Sequence, residues 1–402
     1  MAYRTLEEIT GGPNHTFVIA EAGVNHNGDP ELAKQLIDAA ANAGADAVKF
    51  QTFQADKLAS PEAAQADYQA RNIGKKESQL QMLQRLELKF TDHAPLKKYA
   101  QDRGIMFLST PFHVEALKFL IDDIGQDTLK FSSGDLANAP LLNMAARRGV
   151  NMLVSTGMAS IEEVRLAFDA IAFGYCNPRD PKSSAEIKDW RLKPEAQAIM
   201  KTRVCVFHCT TAYPTPLDMV NLRAMKTLEA EFKCITGYSD HTQGIDVSIL
   251  ASALGARVIE KHFTISRDWE GPDHVASLEP QELKAMIDNI RATSKARAAK
   301  SDHTLSLDEA RQYLSPTFDA ISVLGTGEKQ PHKGEVAVTE IARKSIHTRG
   351  PIKAGEVFTM DNLSTDIRPQ GGLKPVQLWD ILGKPAANDL AAYQPVKNNN
   401  VA

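Results

Sequence analysis

The chain has 402 residues, a formal net charge of -4 and 43% hydrophobic residues, enough for a sizeable core in one large domain with a smaller companion. A pI near 6.3 excludes the basic footprint of a nucleic-acid binder, and no stretch approaches the roughly 18 consecutive apolar residues of a membrane span. The opening MAYRTLEEITGG lacks the basic start and apolar run of a signal peptide, so a small-molecule partner and a cytoplasmic location are expected. Cys176, Cys205, Cys209 and Cys234 show no CxxC spacing, and three of them sit in apolar runs, as reduced structural thiols would.

Eight short runs rich in apolar and β-branched residues follow in order: FVIAE (17–21), AVKFQT (47–52), IMFLST (105–110), TLKFSS (128–133), NMLVST (151–156), VCVFHCT (204–210), CITGYS (234–239) and RVIEKHF (257–263). Between most of them lie segments of helical period, such as PELAKQLIDAAANAG and SIEEVRLAFDAIAFG, several closing on a glycine suited to a helix C-terminus. Near-continuous apolar strands alternating with amphipathic helices imply a parallel sheet buried on both faces. Eight such units predict an α/β fold, a closed (β/α)8 TIM barrel over residues 1–299. No GxGxxG follows the first strand, which counts against a dinucleotide site.

Residues 53–91 and 174–203 break the rhythm and are expected as excursions over one mouth of the barrel. Residues 300–335 are polar and irregular and read as a linker. From 336 to 402 the pattern becomes short strands and turns, a small mostly-β domain that needs a partner surface because its own core is modest.

The active site of such a barrel lies at the C-terminal ends of its strands. Polar residues collect there: Glu21, Asn25 and His26; Lys49 and Gln51; Ser109 and Thr110; Lys130, Ser132, Ser133 and Asp135; Ser155 and Thr156; His208, Thr210, Thr211 and Tyr213; Ser239, Asp240 and His241; Glu260, Lys261 and His262. Taken singly, a strand-end hydroxyl or histidine is usually a satisfied structural group. The recurrence across eight strands points to a site. Lysines inside a barrel are costly to desolvate unless paired with anions, so Lys49 and Lys130 with nearby hydroxyls read as an anion pocket suited to phosphate. His241 and His262, on adjacent strands, read as a pair of ligands for a divalent ion such as Mn²⁺, with Mg²⁺ or Co²⁺ as other candidates. Glu21, Glu260 and Asp273 could assist, and Asp240 could orient an imidazole.

FVIAEAGVNHNG, AVKFQT, STPF, STGM, HCTTAYPTP, GYSDHT and EKHFT followed by GPDH resemble, in order, the sialic acid synthase family, and RKSIHTRGPIKAGEVFTMDNLSTDIRP resembles its antifreeze-like SAF domain, a β-clip fold. The resemblance implies condensation of phosphoenolpyruvate with N-acetylmannosamine to give N-acetylneuraminate, or with 2,4-diacetamido-2,4,6-trideoxymannose in a legionaminic-type enzyme. It implies Glu21 and Asp273 as catalytic, with Lys49, Thr110, Lys130, Ser133, Ser155 and Ser239 holding phosphoenolpyruvate. Gln51, Asp135, Thr211, Tyr213, Asp273 and Arg368 would meet the N-acetylhexosamine, and His241 and His262 the metal. It further implies a homodimer in which Arg368 reaches the partner's barrel. Asp135 and Thr211 depart from the glutamate and asparagine common in the family, which leaves the acceptor open. A metal-dependent aldolase and a non-catalytic carbohydrate-binding protein are the rival readings.

Overall fold

Each of the eight apolar runs forms a strand in the computed structural model, which describes residues 3–60, 63, 65 and 67–402. The strands are β1 (Phe17–Gly23), β2 (Ala47–Thr52), β3 (Met106–Pro111), β4 (Thr128–Phe131), β5 (Asn151–Ser155), β6 (Val204–His208), β7 (Ile235–Asp240) and β8 (Val258–His262). Their order in the sheet is β3-β2-β1-β8-β7-β6-β5-β4, and every adjacent pair is parallel. β3 and β4, at the two ends of this ladder, lie side by side, so the sheet curls into a barrel. Phe17, Ile19, Leu108, Leu153, Phe207 and Val258 fill its lower interior, and Leu6 of the helix Leu6–Thr10 packs into the same cluster. That plug leaves the upper interior to polar residues.

The register sets who meets whom there. Glu21 pairs with Lys49 on one side and His262 on the other, and Ser239 pairs with Glu260; paired residues in parallel strands share a face, so these side chains converge. The surrounding helices form for local reasons. In Pro30–Ala43, Asp29 caps the first turn by accepting the Glu31 N–H, and Gly44 at φ +85° ends the helix. Ala33, Leu36, Ile37 and Ala40 recur at helical spacing and face the barrel.

The first excursion forms the helices Ala55–Leu58, Asp67–Ile73 and Gln79–Leu86 beside the upper mouth; its residues 61, 62, 64 and 66 lie outside the described set. The second does not cover that mouth. Residues 174–203 begin in the last turn of the outer helix Ile161–Cys176 and lead into the lower end of β6, packing Trp190 on Phe173 and pairing Arg191 with Asp169 on the barrel's flank. A segment that joins a helix to the next strand runs at the end opposite the active site, a distinction that composition alone does not carry.

The expected linker is a strap. Leu305, Ala310, Ala320 and Val323 are buried in the barrel's outer core, Leu305 N–H donates to Ala253 O and Leu222 N–H to Val323 O. Its sparse apolar residues are spaced to dock between helices, so the segment is polar without being free. Beyond it, the helix Val336–Ala342 leads into a small domain built on Ile346, Ile352, Phe358, Leu363, Leu378, Ile381, Leu390 and Val396. Its β structure is a short antiparallel pair, β9 (His347–Thr348) and β10 (Leu363–Ser364), with isolated antiparallel bridges such as Ile352 to Leu390. The domain docks on its own barrel: Asp366 accepts from Val114 N–H at 3.2 Å and Asn138 Nδ2 at 2.9 Å, and Arg349 pairs with Glu115 at 3.1 Å.

Candidate active site

At the C-terminal ends of the strands lies a cleft with a cavity volume of about 180 Å³. Its lining contains Glu21, Lys49, Gln51, Thr110, Lys130, Ser133, Ser155, Thr211, Tyr213, Ser239, His241, His262, Asp273 and Arg368, which is every expected site residue except Asp135. At its centre, Lys49 Nζ is 2.7 Å from Glu21 and 3.5 Å from Glu260, and donates to Thr110 Oγ1 at 3.0 Å. Lys130 Nζ is 3.1 Å from Glu260 and donates to Ser155 Oγ at 2.7 Å, while Ser239 Oγ donates to Glu260 at 2.8 Å. Glu260 therefore bridges both ammoniums. An incoming phosphate or carboxylate would compete with it for them, and the surrounding hydroxyls are neutral donors suited to the same oxygens.

The two carboxylates are pushed apart. Burial raises the Glu21 carboxyl to about 7 against the pull of Lys49, with the charge of Glu260 adding to the rise. Burial opposes ionisation of Glu260 as well, but Lys130, Lys49 and the Ser239 hydroxyl together hold it below the usual carboxylate range. One acid is thus ionised and committed to the lysines, while the other sits near neutrality and can give or take a proton. Asp273, further out, is raised to about 6 by burial.

His241 Nδ1 hydrogen-bonds the Thr210 carbonyl at 2.7 Å; a carbonyl only accepts, so this nitrogen carries the proton and Nε2 is left as a lone pair. His262 Nδ1 is buried with no hydrogen-bond partner among the described residues. The rings are 5.8 Å apart, and burial lowers both imidazoles below their ordinary range, His262 further because His241 and Lys49 lie close, so both are neutral bases. Two neutral imidazoles, one with an orphaned nitrogen, fit a divalent ion that completes its shell with water and substrate oxygens. Among the described residues no group of three or more His, Cys, Asp and Glu side chains offers a closed site. Tyr213 walls this side, its ring 4.3 Å from that of His241.

Thr211 and Ser133 meet above Gly157. A Cβ at that position would fall 2.2 Å from Thr211 Oγ1 and 2.7 Å from Ser133 Oγ, so only glycine lets the loops after β4, β5 and β6 close together. Ser133 Oγ accepts the Gly157 N–H at 3.0 Å and lies 3.2 Å from Cys209 Sγ, whereas Thr211 Oγ1 is buried without a hydrogen-bond partner among the described residues. The Thr211 hydroxyl thus lies on the same side of Gly157 as that of Ser133. Cys209 is free but touches polar groups, unlike the apolar surroundings expected of it.

Asp135 is turned away from the cleft. It is fully buried, accepts from Ser132 Oγ at 2.7 Å and is ion-paired with Lys344 of the segment before β9. A carboxylate so enclosed has its charge balanced by that lysine, which no local pattern around residue 135 could announce. Asp240 likewise does not orient His241: it accepts from Thr242, Ser248 Oγ and Lys261 Nζ, the last at 2.9 Å. Asn25, His208 and Thr156 bond to backbone carbonyls and are structural. Arg368 lines the cleft of its own chain, with the backbone around it joined to Leu58 and Ser60 and its guanidinium 5.6 Å from the Phe112 ring centroid. Within one chain, Arg368 and the barrel residues line the same cleft.

A (β/α)8 barrel carrying this constellation at its catalytic mouth is the framework of an enzyme. Comparison with known proteins agrees. Residues 36–302 match the NeuB family model. The chain is 40% identical over 374 residues to the N,N'-diacetyllegionaminic acid synthase of Campylobacter jejuni, covering 93% of this chain and 96% of that protein. It is 38% identical to the protein of the same name from Legionella pneumophila (94% and 92% covered) and 30% identical to the human N-acetylneuraminate-9-phosphate synthase (93% and 89% covered). The crystal structure of the spore coat polysaccharide biosynthesis protein spsE of Bacillus subtilis superposes with a TM-score of 0.72 at 30% identity, over 96% of this chain and 95% of that one. The chain belongs to the NeuB family and is a synthase of the carbon–carbon bond-forming class.

Proposed function

We propose that the enzyme condenses phosphoenolpyruvate with 2,4-diacetamido-2,4,6-trideoxymannose to give N,N'-diacetyllegionaminate and phosphate. The observation that carries the phosphoenolpyruvate half is the pair of buried lysines, Lys49 and Lys130, set among Thr110, Ser133, Ser155 and Ser239. Two features favour the 6-deoxy acceptor over N-acetylmannosamine, the acceptor put first from sequence. The relatives at 40% and 38% identity carry the legionaminic name, against 30% for the N-acetylneuraminate-9-phosphate enzyme. The outer cleft is also walled by Leu58, Met82, Leu83, Leu86 and Phe112, which suit a methyl at C6 and acetamido methyls better than a free hydroxyl.

In this reading, C3 of phosphoenolpyruvate bonds to the aldehyde carbon, water adds at C2, and the C2–O bond to phosphate breaks. Lys49 and Lys130 hold the anionic groups throughout. Glu21, near neutrality and beside Lys49, manages the proton of the attacking water or steadies the positive charge that develops at C2. Asp273, Gln51, Tyr213 and Arg368 orient the sugar. His241 and His262 would hold a divalent metal, Mn²⁺ by ligand chemistry, which when bound supplies Lewis-acid polarisation of the aldehyde. The test is phosphate release from phosphoenolpyruvate with each acceptor in the presence of Mn²⁺. A higher kcat/KM with the trideoxy sugar is expected; preference for N-acetylmannosamine would make this a sialic acid synthase, and turnover without phosphate release would point to an aldolase.

A further inference from the structure

We infer that the segment Glu335–Lys344, between the strap and the small domain, is a clamp that sets the phosphate side of the cleft, with Glu335 as its principal positioning residue. The Glu335 side chain is buried although it ends in a carboxyl group. Its Oε1 accepts the backbone N–H of Met158, after β5, at 2.9 Å and of Thr211, after β6, at 2.7 Å, while Oε2 accepts from His332 at 2.8 Å. One carboxylate thus joins two active-site loops from outside the barrel.

The far end of the segment grips the same loops. Arg343 donates to Met158 O at 2.6 Å and pairs with Glu163 at 2.8 Å, so Met158 is held at both its N–H and its carbonyl. Met158 has φ +58°, a left-handed conformation costly for a residue with a side chain, which persists where the surroundings over-determine it. Lys344 joins Asp135 of the loop after β4 to the Phe112 carbonyl after β3. The Ala342 carbonyl lies 2.9 Å from where a Cβ on Gly134 would be, so the segment presses directly on the Ser133 loop. Ser133, Gly157 and Thr211 are therefore aligned from behind by Glu335 and Arg343, which do not line the cleft, while Ala342 and Lys344 of the same segment do.

This inference rests on phosphoenolpyruvate being the substrate, and steady-state kinetics of the full-length enzyme separate the two. Glu335→Leu keeps much of the volume but removes the oxygen that accepts from both the Met158 and Thr211 N–H groups. KM for phosphoenolpyruvate is expected to rise about tenfold or more, with KM for the acceptor sugar within about twofold, because a misplacement confined to one side of a site falls on the substrate held there. Arg343→Gln, which releases the Met158 carbonyl and leaves Glu335 in place, is expected to shift the same constant and carries the test should Glu335→Leu fail to fold. Equal rises in both KM values, or a folded variant with an unchanged phosphoenolpyruvate KM, would overturn the clamp while leaving the proposed reaction standing. A wild-type enzyme that releases no phosphate would overturn both.

Discussion

Asp135→Asn separates an ion-pair role from a sugar-binding one. The Lys344 side chain is 1% exposed and that of Asp135 0%. Asparagine retains an oxygen for the Ser132 hydroxyl, so the substitution removes little except the charge opposite the ammonium. Lys344 then keeps only the Phe112 carbonyl. An ammonium left buried without its counter-charge costs about 3–5 kcal/mol, whereas replacing both members of such a pair with apolar residues of similar volume is often neutral or stabilising. Asp135→Asn should therefore lower stability by about that amount in urea denaturation, while Asp135→Leu combined with Lys344→Met recovers most of it. Trp379 of the small domain, buried in one cluster with Ala139, Ala170 and Phe173 of the barrel, reports undocking of that domain by fluorescence. An Asp135→Asn enzyme within about 1 kcal/mol of wild type but with a sharply raised acceptor KM would refute this reasoning, since it would show that the charge is spent on the sugar and not on Lys344.

Three further outcomes follow from the cleft. Glu21→Gln should lower kcat about 100-fold or more with folding intact, as loss of a positioned proton-transfer group does; turnover within about threefold of wild type would remove Glu21 from the mechanism. Asp273 is held protonated up to about 6 by burial, so if its anion orients the acceptor, kcat/KM for the sugar falls as pH drops through that value, and Asp273→Asn lacks that step. Titration with Mn²⁺ followed by electron paramagnetic resonance should show one bound ion per chain, lost in His262→Ala; unaltered binding in that variant would move the metal elsewhere.

The barrel and most of its site were legible in the sequence because their determinants are local. Eight apolar runs specify strands, the intervening helical periods force parallel connections, and a parallel barrel puts its chemistry at the strand ends. Lys49, Lys130, Glu21, His241 and His262 could be picked out from those rules alone, since charged groups at the close of buried strands need a reason to be there. Pairings between distant segments were not legible. Asp135 looks like a cleft residue until Lys344, 209 positions away, is seen to neutralise it. Glu335 carries no motif, and its role arises only because the strap delivers it to the loops after β5 and β6.

The same distinction governs the strap itself. A truncation after Lys300, drawn from composition, would strip Leu305, Ala310, Ala320 and Val323 out of the barrel's outer core, so the truncated chain is expected to lose stability as well as Arg368. Hydrophobic period and turn chemistry act over a few residues and determine the elements, their order and the face each presents. Which buried charge meets which depends on how those elements dock, and docking is decided by contacts that no short stretch of sequence contains.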